Sequence, residues 1–212
     1  MERNSVFECQ GMQDLAEYLL VKTAPVIMGV KPALLLRLTK CARLRNSERY
    51  DVFCLYGEEM LSILKLKAVI LKESATDLQI LFYEERSLQK ILCRSENRNF
   101  LNLFGYESCR NVEEFLEHLR LRFSGMEFPH EIGLFLGYPK KDVEGFIRSP
   151  GGGRCVPRGL WRVFGPMGES MVKMNCFRFA ERAAEHALRE CGSVPLCVDK
   201  IKSTDLRMAV SF

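Results

Sequence analysis

Residues 64–83 read L-K-L-K-A-V-I-L-K-E-S-A-T-D-L-Q-I-L-F-Y. Leu64, Leu66, Ala68 and Ile70 alternate with Lys65, Lys67, Val69 and Leu71. The alternation resumes at Leu78, Ile80 and Phe82, after the polar Glu73-Ser74-Ala75-Thr76-Asp77. Successive side chains of an extended chain point to opposite faces, so a period of two marks a strand. Two such runs around a short polar turn predict an antiparallel hairpin. Ala33–Leu38, with leucine at 34, 35, 36 and 38, fits either a buried strand or a short helix, and Leu160–Phe164 reads as one more strand. No regular strand–helix–strand alternation follows. The fold class expected is therefore α+β, with a small, mostly antiparallel sheet that includes the local hairpin at about 64–83. Several short helices and a long C-terminal helix complete it.

Outward from the hairpin, Met12, Leu15, Ala16, Leu19 and Leu20 place a helix over Gln10–Val21. Ala24-Pro25 and Lys31-Pro32 bracket a segment that should not continue it. Thr39–Asp51 reads as a polar surface excursion, and Phe53–Leu61 as a helix that Gly57 weakens. Arg86–Arg94 and Phe100–Phe104 are short helices, the second stopped by Gly105. Asn111 and Glu114 have capping-box spacing ahead of Phe115, Leu116, Leu119 and Phe123. Ser149–Gly153 is a break, and Ser170–Glu190 is expected to be the long final helix. Residues 1–192 read as one domain and 193–212 as a loosely packed C-terminal tail.

The chain has 212 residues, a formal charge of +4, 47% hydrophobic and 27% charged residues. That composition excludes a disordered chain, a collagen and a small disulfide scaffold. The first thirteen residues, with Glu2, Arg3 and Glu8, contain no apolar run of the signal-peptide kind. No window approaches the ~20 apolar residues of a membrane span. A cytoplasmic protein without a membrane role is expected. Nine cysteines, an odd number with no C-x-x-C pair, read as reduced thiols rather than a local metal cluster. Basic residues concentrate in two stretches. In 31–49, Lys31, Arg37, Lys40, Arg43, Arg45 and Arg49 face Glu48 alone. In 140–162, Lys140, Lys141, Arg148, Arg154, Arg158 and Arg162 outnumber Asp142 and Glu144. Neither interleaves basic with aromatic residues, so ordinary solvated faces are favoured over nucleic-acid binding.

Phe128–Ile147 reads F-P-H-E-I-G-L-F-L-G-Y-P-K-K-D-V-E-G-F-I. Pro129 suits a first helical position, Ile132, Phe135 and Leu136 form a buried stripe, and Gly137-Tyr138-Pro139 ends the turn. Pro139 opens a second unit whose Val143, Phe146 and Ile147 face the same core. The whole is a compact helical hairpin. Its Pro129-His130-Glu131 and Leu136-Gly137-Tyr138-Pro139 resemble the signature of a bacterial, largely clostridial and anaerobe-associated family of unknown function. The resemblance extends more loosely to Ala24-Pro25, Gly29-Val30-Lys31-Pro32, Leu81-Phe82-Tyr83 and Gly159-Leu160-Trp161-Arg162-Val163-Phe164. It implies a bacterial cytosolic setting and supplies no reaction. Family members often carry a cysteine before the Ala-Pro pair, where this chain has Thr23.

His130 and Glu131 are the candidate catalytic residues. A helix N-terminus disfavours imidazolium and leaves the ring free to act as a base or metal ligand. Glu131 equally suits the free N–H groups of that turn. Neighbouring helical residues diverge by about 100°, so the pair does not chelate one ion, and Leu134 breaks the H-E-x-x-H pattern. Tyr138, Lys31 and Arg154 are the candidate ligand-binding residues. Pro150-Gly151-Gly152-Gly153-Arg154 reads as an anion-wrapping loop or, more simply, a linker. His118 and His186 read as surface groups and Trp161 as core. The leading reading is an accessory protein that binds a small molecule, cofactor or metal near 128–147. One alternative is an enzyme using His130 as general base or metal ligand. Another is nucleic-acid or acidic-partner binding through 31–49 and 140–162, and a protein partner is a further option. The sequence names no particular metal or cofactor.

Overall fold

A computed structural model describes residues 10–40, 46–156 and 159–204. Residues 1–9 with Cys9, the last eight residues of the expected tail (205–212), Cys41, and Arg43, Arg45 and Arg158 of the basic stretches lie outside the described residues. The expected hairpin is formed by β2 (Lys67–Glu73) and β3 (Asp77–Tyr83). Ala33–Thr39 resolves as a strand, β1. The sheet has the order β1-β3-β2, and both outer strands run antiparallel to β3. Ile80 is its centre, opposite Leu36 on one side and Ile70 on the other. The architecture is α+β, as the sequence pattern implied.

β3 is buried on both faces, which is why its residues run L-Q-I-L-F-Y rather than alternating with charges. Leu78, Ile80 and Phe82 join Leu38 in one core, while Leu81 and Tyr83 join Ala33 and Leu71 in another. The first core is covered by α1 (Gln10–Ile27), α2 (Asn46–Leu64), α8 (Gly168–Cys191) and α9 (Val194–Lys202). The second is covered by α3 (Glu85–Leu92), α4 (Ser95–Asn102), α5 (Val112–Phe123), α6 (Ile132–Phe135) and α7 (Lys140–Arg148). The sheet is the partition between two helical layers.

Several expectations are corrected. Leu64 belongs to α2, not to the hairpin, and β2 starts at Lys67. A register shift between Ile70 and Lys72 also breaks its alternation. The polar excursion shrinks, because α2 already starts at Asn46; it kinks at Tyr56 (φ −124°, ψ 16°), next to Gly57. α1 runs through Pro25 to Ile27. Pro25 falls in that last turn, and its own carbonyl accepts the Val30 and Lys31 N–H groups at 3.0 and 2.9 Å as the chain leaves the helix. Leu160–Phe164 is not a strand: among the described residues it makes an isolated bridge, Val163 to Arg154. α8 is not the final helix. α9 follows, with Val194, Cys197, Val198 and Ile201 buried in the first core, so the part of the expected tail through Lys202 is packed, not loose.

The α5 cap forms at the expected residues, with Glu114 reaching one residue further back than the N-cap N–H of a capping box. Asn111 Oδ1 accepts from Glu114 N at 2.9 Å, and Glu114 Oε2 reaches back to Arg110 N at 2.6 Å. Asn111→Ala should therefore cost about 1 kcal/mol, read as a lower urea midpoint at unchanged slope, whereas Asn111→Gly should cost only a few tenths.

Candidate functional site

His130 and Glu131, adjacent in sequence, go to opposite environments. α6 is a single turn, and both residues precede it in a turn rather than sitting inside a helix as expected. The macrodipole argument for His130 loses its basis in so short a helix. His130 is exposed, its ring 4.9 Å from that of Phe146 and 5.4 Å from that of Phe128, with no hydrogen-bond partner among the described residues. Glu131 is buried, and its Oε1 accepts from Arg122 Nε at 2.8 Å. Burial, with the Glu131 carboxylate as the nearest opposing charge to ionisation, keeps the Tyr106 phenol neutral. Glu131 thus anchors the hairpin to α5. His118, expected at the surface, is half-buried: its Nε2 lies 3.0 Å from the Phe104 carbonyl oxygen and its ring meets that of Tyr106.

The pieces of sequence that carried the resemblance converge in space. Pro32 packs on Gly137, where an added Cβ would stand 2.5 Å from Pro32 Cδ. Lys31 Nζ lies 5.7 Å from the ring centroid of Tyr138 and 5.1 Å from that of Phe177 on α8. Tyr138 stacks on Trp161 with centroids 4.4 Å apart and planes 19° from parallel. Phe164 covers Gly145 of α7, where an added Cβ would fall 2.3 Å from the ring. Lys31 and Tyr138, two of the candidate ligand-binding residues, are therefore neighbours. Burial pushes the Lys31 amine down to about 8, against the opposing pull of Glu181.

Asp142, in the first turn of α7, ties this region together. It is 2% exposed and accepts from Lys141 Nζ (2.7 Å), Trp161 Nε1 (2.8 Å), Phe164 N (2.8 Å) and Ser170 Oγ (2.6 Å). Burial alone would raise its carboxyl, but the four donated bonds together hold it below the usual carboxylate range. Lys141 Nζ also donates to the Phe164 carbonyl and Ser170 Oγ, both at 2.9 Å. One buried carboxylate thus joins α7, the Trp161 loop and the start of α8.

Against this network lies a cleft of about 300 Å³, walled by Gly137, Tyr138 and Pro139, the α3–α4 junction and α8. Arg94, Lys140, Lys141 and Lys173 line it together with Glu96, Glu144 and Glu169. Lys141 is committed to Asp142, and Lys140 pairs with Glu144 at 3.1 Å. Lys173 Nζ donates to the Gly137 carbonyl at 3.1 Å. Burial lowers the Lys173 amine, with Glu169 opposing and Arg94 adding to the effect. The Arg94 guanidinium has no hydrogen-bond or ion-pair partner among the described residues. The sequence reading missed Asp142, Lys173 and Arg94. An acidic residue in a first helical turn and a lysine on a helix both read locally as solvated, and no spacing rule links 94, 142 and 173.

Arg154 stands apart from the cleft. It is exposed, and its Nη1 donates to Met167 Sδ at 3.4 Å. In the glycine loop beside it the Gly151 and Gly152 carbonyls accept from Arg162 Nη1, the Gly152 N–H donates to the Ser149 carbonyl at 2.9 Å, and Gly153 packs on Phe164. In the 140–162 stretch, Lys140, Lys141, Arg148 and Arg162 all have partners within the stretch. Among the described residues no group of three or more His, Cys, Asp or Glu could hold a metal ion, and the seven described cysteines are free thiols. No described helix is long and apolar enough to cross a membrane.

No curated protein and no solved structure matches the chain. A family model does, across residues 19–195, a span that contains Lys31, Gly137, Tyr138, Asp142, Trp161 and Lys173 alike. Its description is a protein of unknown function (DUF3793), and the chain belongs to that family.

Proposed function

We propose that the protein is a non-catalytic accessory protein of the bacterial cytoplasm that binds a small anionic molecule in the Gly137–Pro139 cleft. The observation that carries this reading is the convergence of Arg94 and Lys173 on one cleft of about 300 Å³. A carboxylate or phosphate group would pair with both cations and offset the burial that Lys173 now bears. The floor is rigid, because Asp142 holds Lys141, Trp161 and the start of α8 in one arrangement. A rigid site loses little freedom when a ligand enters. His130 supports this reading over an enzyme, since it lies outside the cleft with aromatic neighbours and no polar partner among the described residues to orient it.

Thermal unfolding with inorganic phosphate, citrate and 2-oxoglutarate tests the proposal. At least one should raise the midpoint in a saturable way, reaching about 2.7 kcal/mol of stabilisation at 100 times its Kd. The Arg94→Ala/Lys173→Met double variant should lose that response. No shift with any of the three anions, or an equal shift in the double variant, would overturn the reading.

A further inference from the structure

The cleft presents acceptors as well as cations. Asn97, on α4, lines it and is 5% exposed. Its Nδ2 donates to the Ile91 carbonyl at 2.9 Å, which fixes the amide and leaves Oδ1, an acceptor, as the atom to be satisfied. Oδ1 has no donor among the described residues, although buried polar groups are ordinarily paired. Unlike the Tyr106 hydroxyl it is not sealed in, so a ligand in the cleft can reach it. Glu96 and Glu169 line the same cleft, in the first turns of α4 and α8, and neither carboxylate has a hydrogen-bond or ion-pair partner among the described residues. A first-turn carboxylate is ordinary on any helix, so those two alone indicate nothing. Asn97 is the observation that gives them a role.

The two walls carry the same combination. The start of α4 brings Arg94 with Glu96 and Asn97, and α8 brings Glu169 and Lys173, one helical turn apart. The Lys173 amine is within electrostatic reach of both Glu169 and Arg94. A plain anion between Arg94 and Lys173 would be opposed by Glu96 and Glu169 and would leave Asn97 Oδ1 without a donor. A molecule with an ammonium beside its carboxylate satisfies all five groups.

We infer that the ligand is an α-amino acid, its carboxylate held by Arg94 and Lys173 and its ammonium by Asn97 Oδ1, Glu96 and Glu169. This rests on the anion-binding reading of the cleft and names the molecule that carries the anionic group. Lys140 and Lys141 take no part, being paired with Glu144 and Asp142. The volume of about 300 Å³ is at the low end for ligand pockets and suits a single amino acid.

The test is thermal unfolding of the full chain with pairs of compounds that differ in the amine: L-glutamate against glutarate, and L-alanine against propionate. In at least one pair the amino acid should raise the midpoint saturably, at a concentration at least about tenfold below that of its deaminated partner, as hydrogen bonds to a charged group allow. Glu96 and Glu169 are exposed, so Glu96→Gln/Glu169→Gln should keep the fold. It should reduce the preference to about twofold or less, while the deaminated acid acts as well as before or better. Asn97→Ala should also reduce the preference, and the exposed pair decides if that variant does not fold. If the deaminated acids act at equal or lower concentrations, or the Gln pair keeps the full preference, the ammonium site is overturned and the anion reading stands on the response to the acids. If neither amino acid shifts the midpoint, the inference is overturned, and phosphate, citrate and 2-oxoglutarate decide the anion reading separately.

Discussion

Asp142→Ala should destabilise the protein by about 3–5 kcal/mol, the cost of removing one partner from a buried, hydrogen-bonded charge pair. The substitution removes an acceptor from four donors at once: Lys141 Nζ, Trp161 Nε1, Phe164 N and Ser170 Oγ. Lys141 and Ser170 retain each other, and Lys141 keeps the Phe164 carbonyl. The Trp161 indole and the Phe164 amide have no such substitute. A small domain has only about 5–15 kcal/mol in hand, so this loss is a large part of the total. The chain has one tryptophan, at 161, so its fluorescence reports on the site itself. In urea the midpoint should fall at unchanged slope, and the native emission of Trp161 should move toward that of exposed indole before global unfolding. A change below 1 kcal/mol would mean that the network is not structural. The pH dependence follows from the depressed carboxyl of Asp142. Its stabilisation is complete above the unfolded value, near 3.8, and is lost as pH falls through the lower folded value. Asp142→Asn cannot titrate, so it should flatten that part of the acid-unfolding curve while remaining less stable than the parent at pH 7.

That network also marks how far local pattern reading reaches in this chain. The hairpin, the α5 cap and the α+β class are consequences of contacts close in sequence, where periodicity and capping rules apply. Asn111 and Glu114 are three residues apart and do what their spacing implies. The continuation of α1 through Pro25 was not legible, because a proline marks a helix end by local rule, whereas the burial of Val26 and Ile27 in the first core comes from the rest of the chain. The burial of α9 was not legible either: its apolar stripe of Val194, Cys197, Val198 and Ile201 is short and needs α1 and α8 to cover it. At the site, Lys31 and Tyr138 stood out as residues, while their approach came from folding the 106 intervening positions into place, through Pro32 on Gly137. His130 attracted attention as the one histidine in a motif. Its neighbour Glu131 proved to be the buried member of the pair, bonded to Arg122. Motif membership and burial are different properties, and only the second depends on the rest of the chain.

Gly137→Ala should cost about 2–5 kcal/mol and disable the cleft, from two separable causes. The first is conformational. Gly137 has φ +78°, a region where a Cβ costs about 1–2 kcal/mol. The second is packing. The new methyl would sit 2.5 Å from Pro32 Cδ and 3.2 Å from Pro32 Cγ. A proline ring cannot rotate away, and this one is held further by its own carbonyl, which accepts the Glu84 N–H at the end of β3 at 3.2 Å. Overpacking against a fixed ring adds about 1–3 kcal/mol. Gly29→Ala separates the two causes, since Gly29 has a similar φ of +72° and nothing within 4 Å of its added Cβ. It should lose only the conformational part, so the difference between the two variants in urea measures the Gly137–Pro32 contact. Equal losses would mean that Pro32 yields and that the contact is incidental. The binding consequence separates in the same way: Gly137 walls the cleft and its carbonyl accepts from Lys173 Nζ, so the thermal response to anions should be lost in Gly137→Ala and persist in Gly29→Ala, measured under conditions where both remain folded.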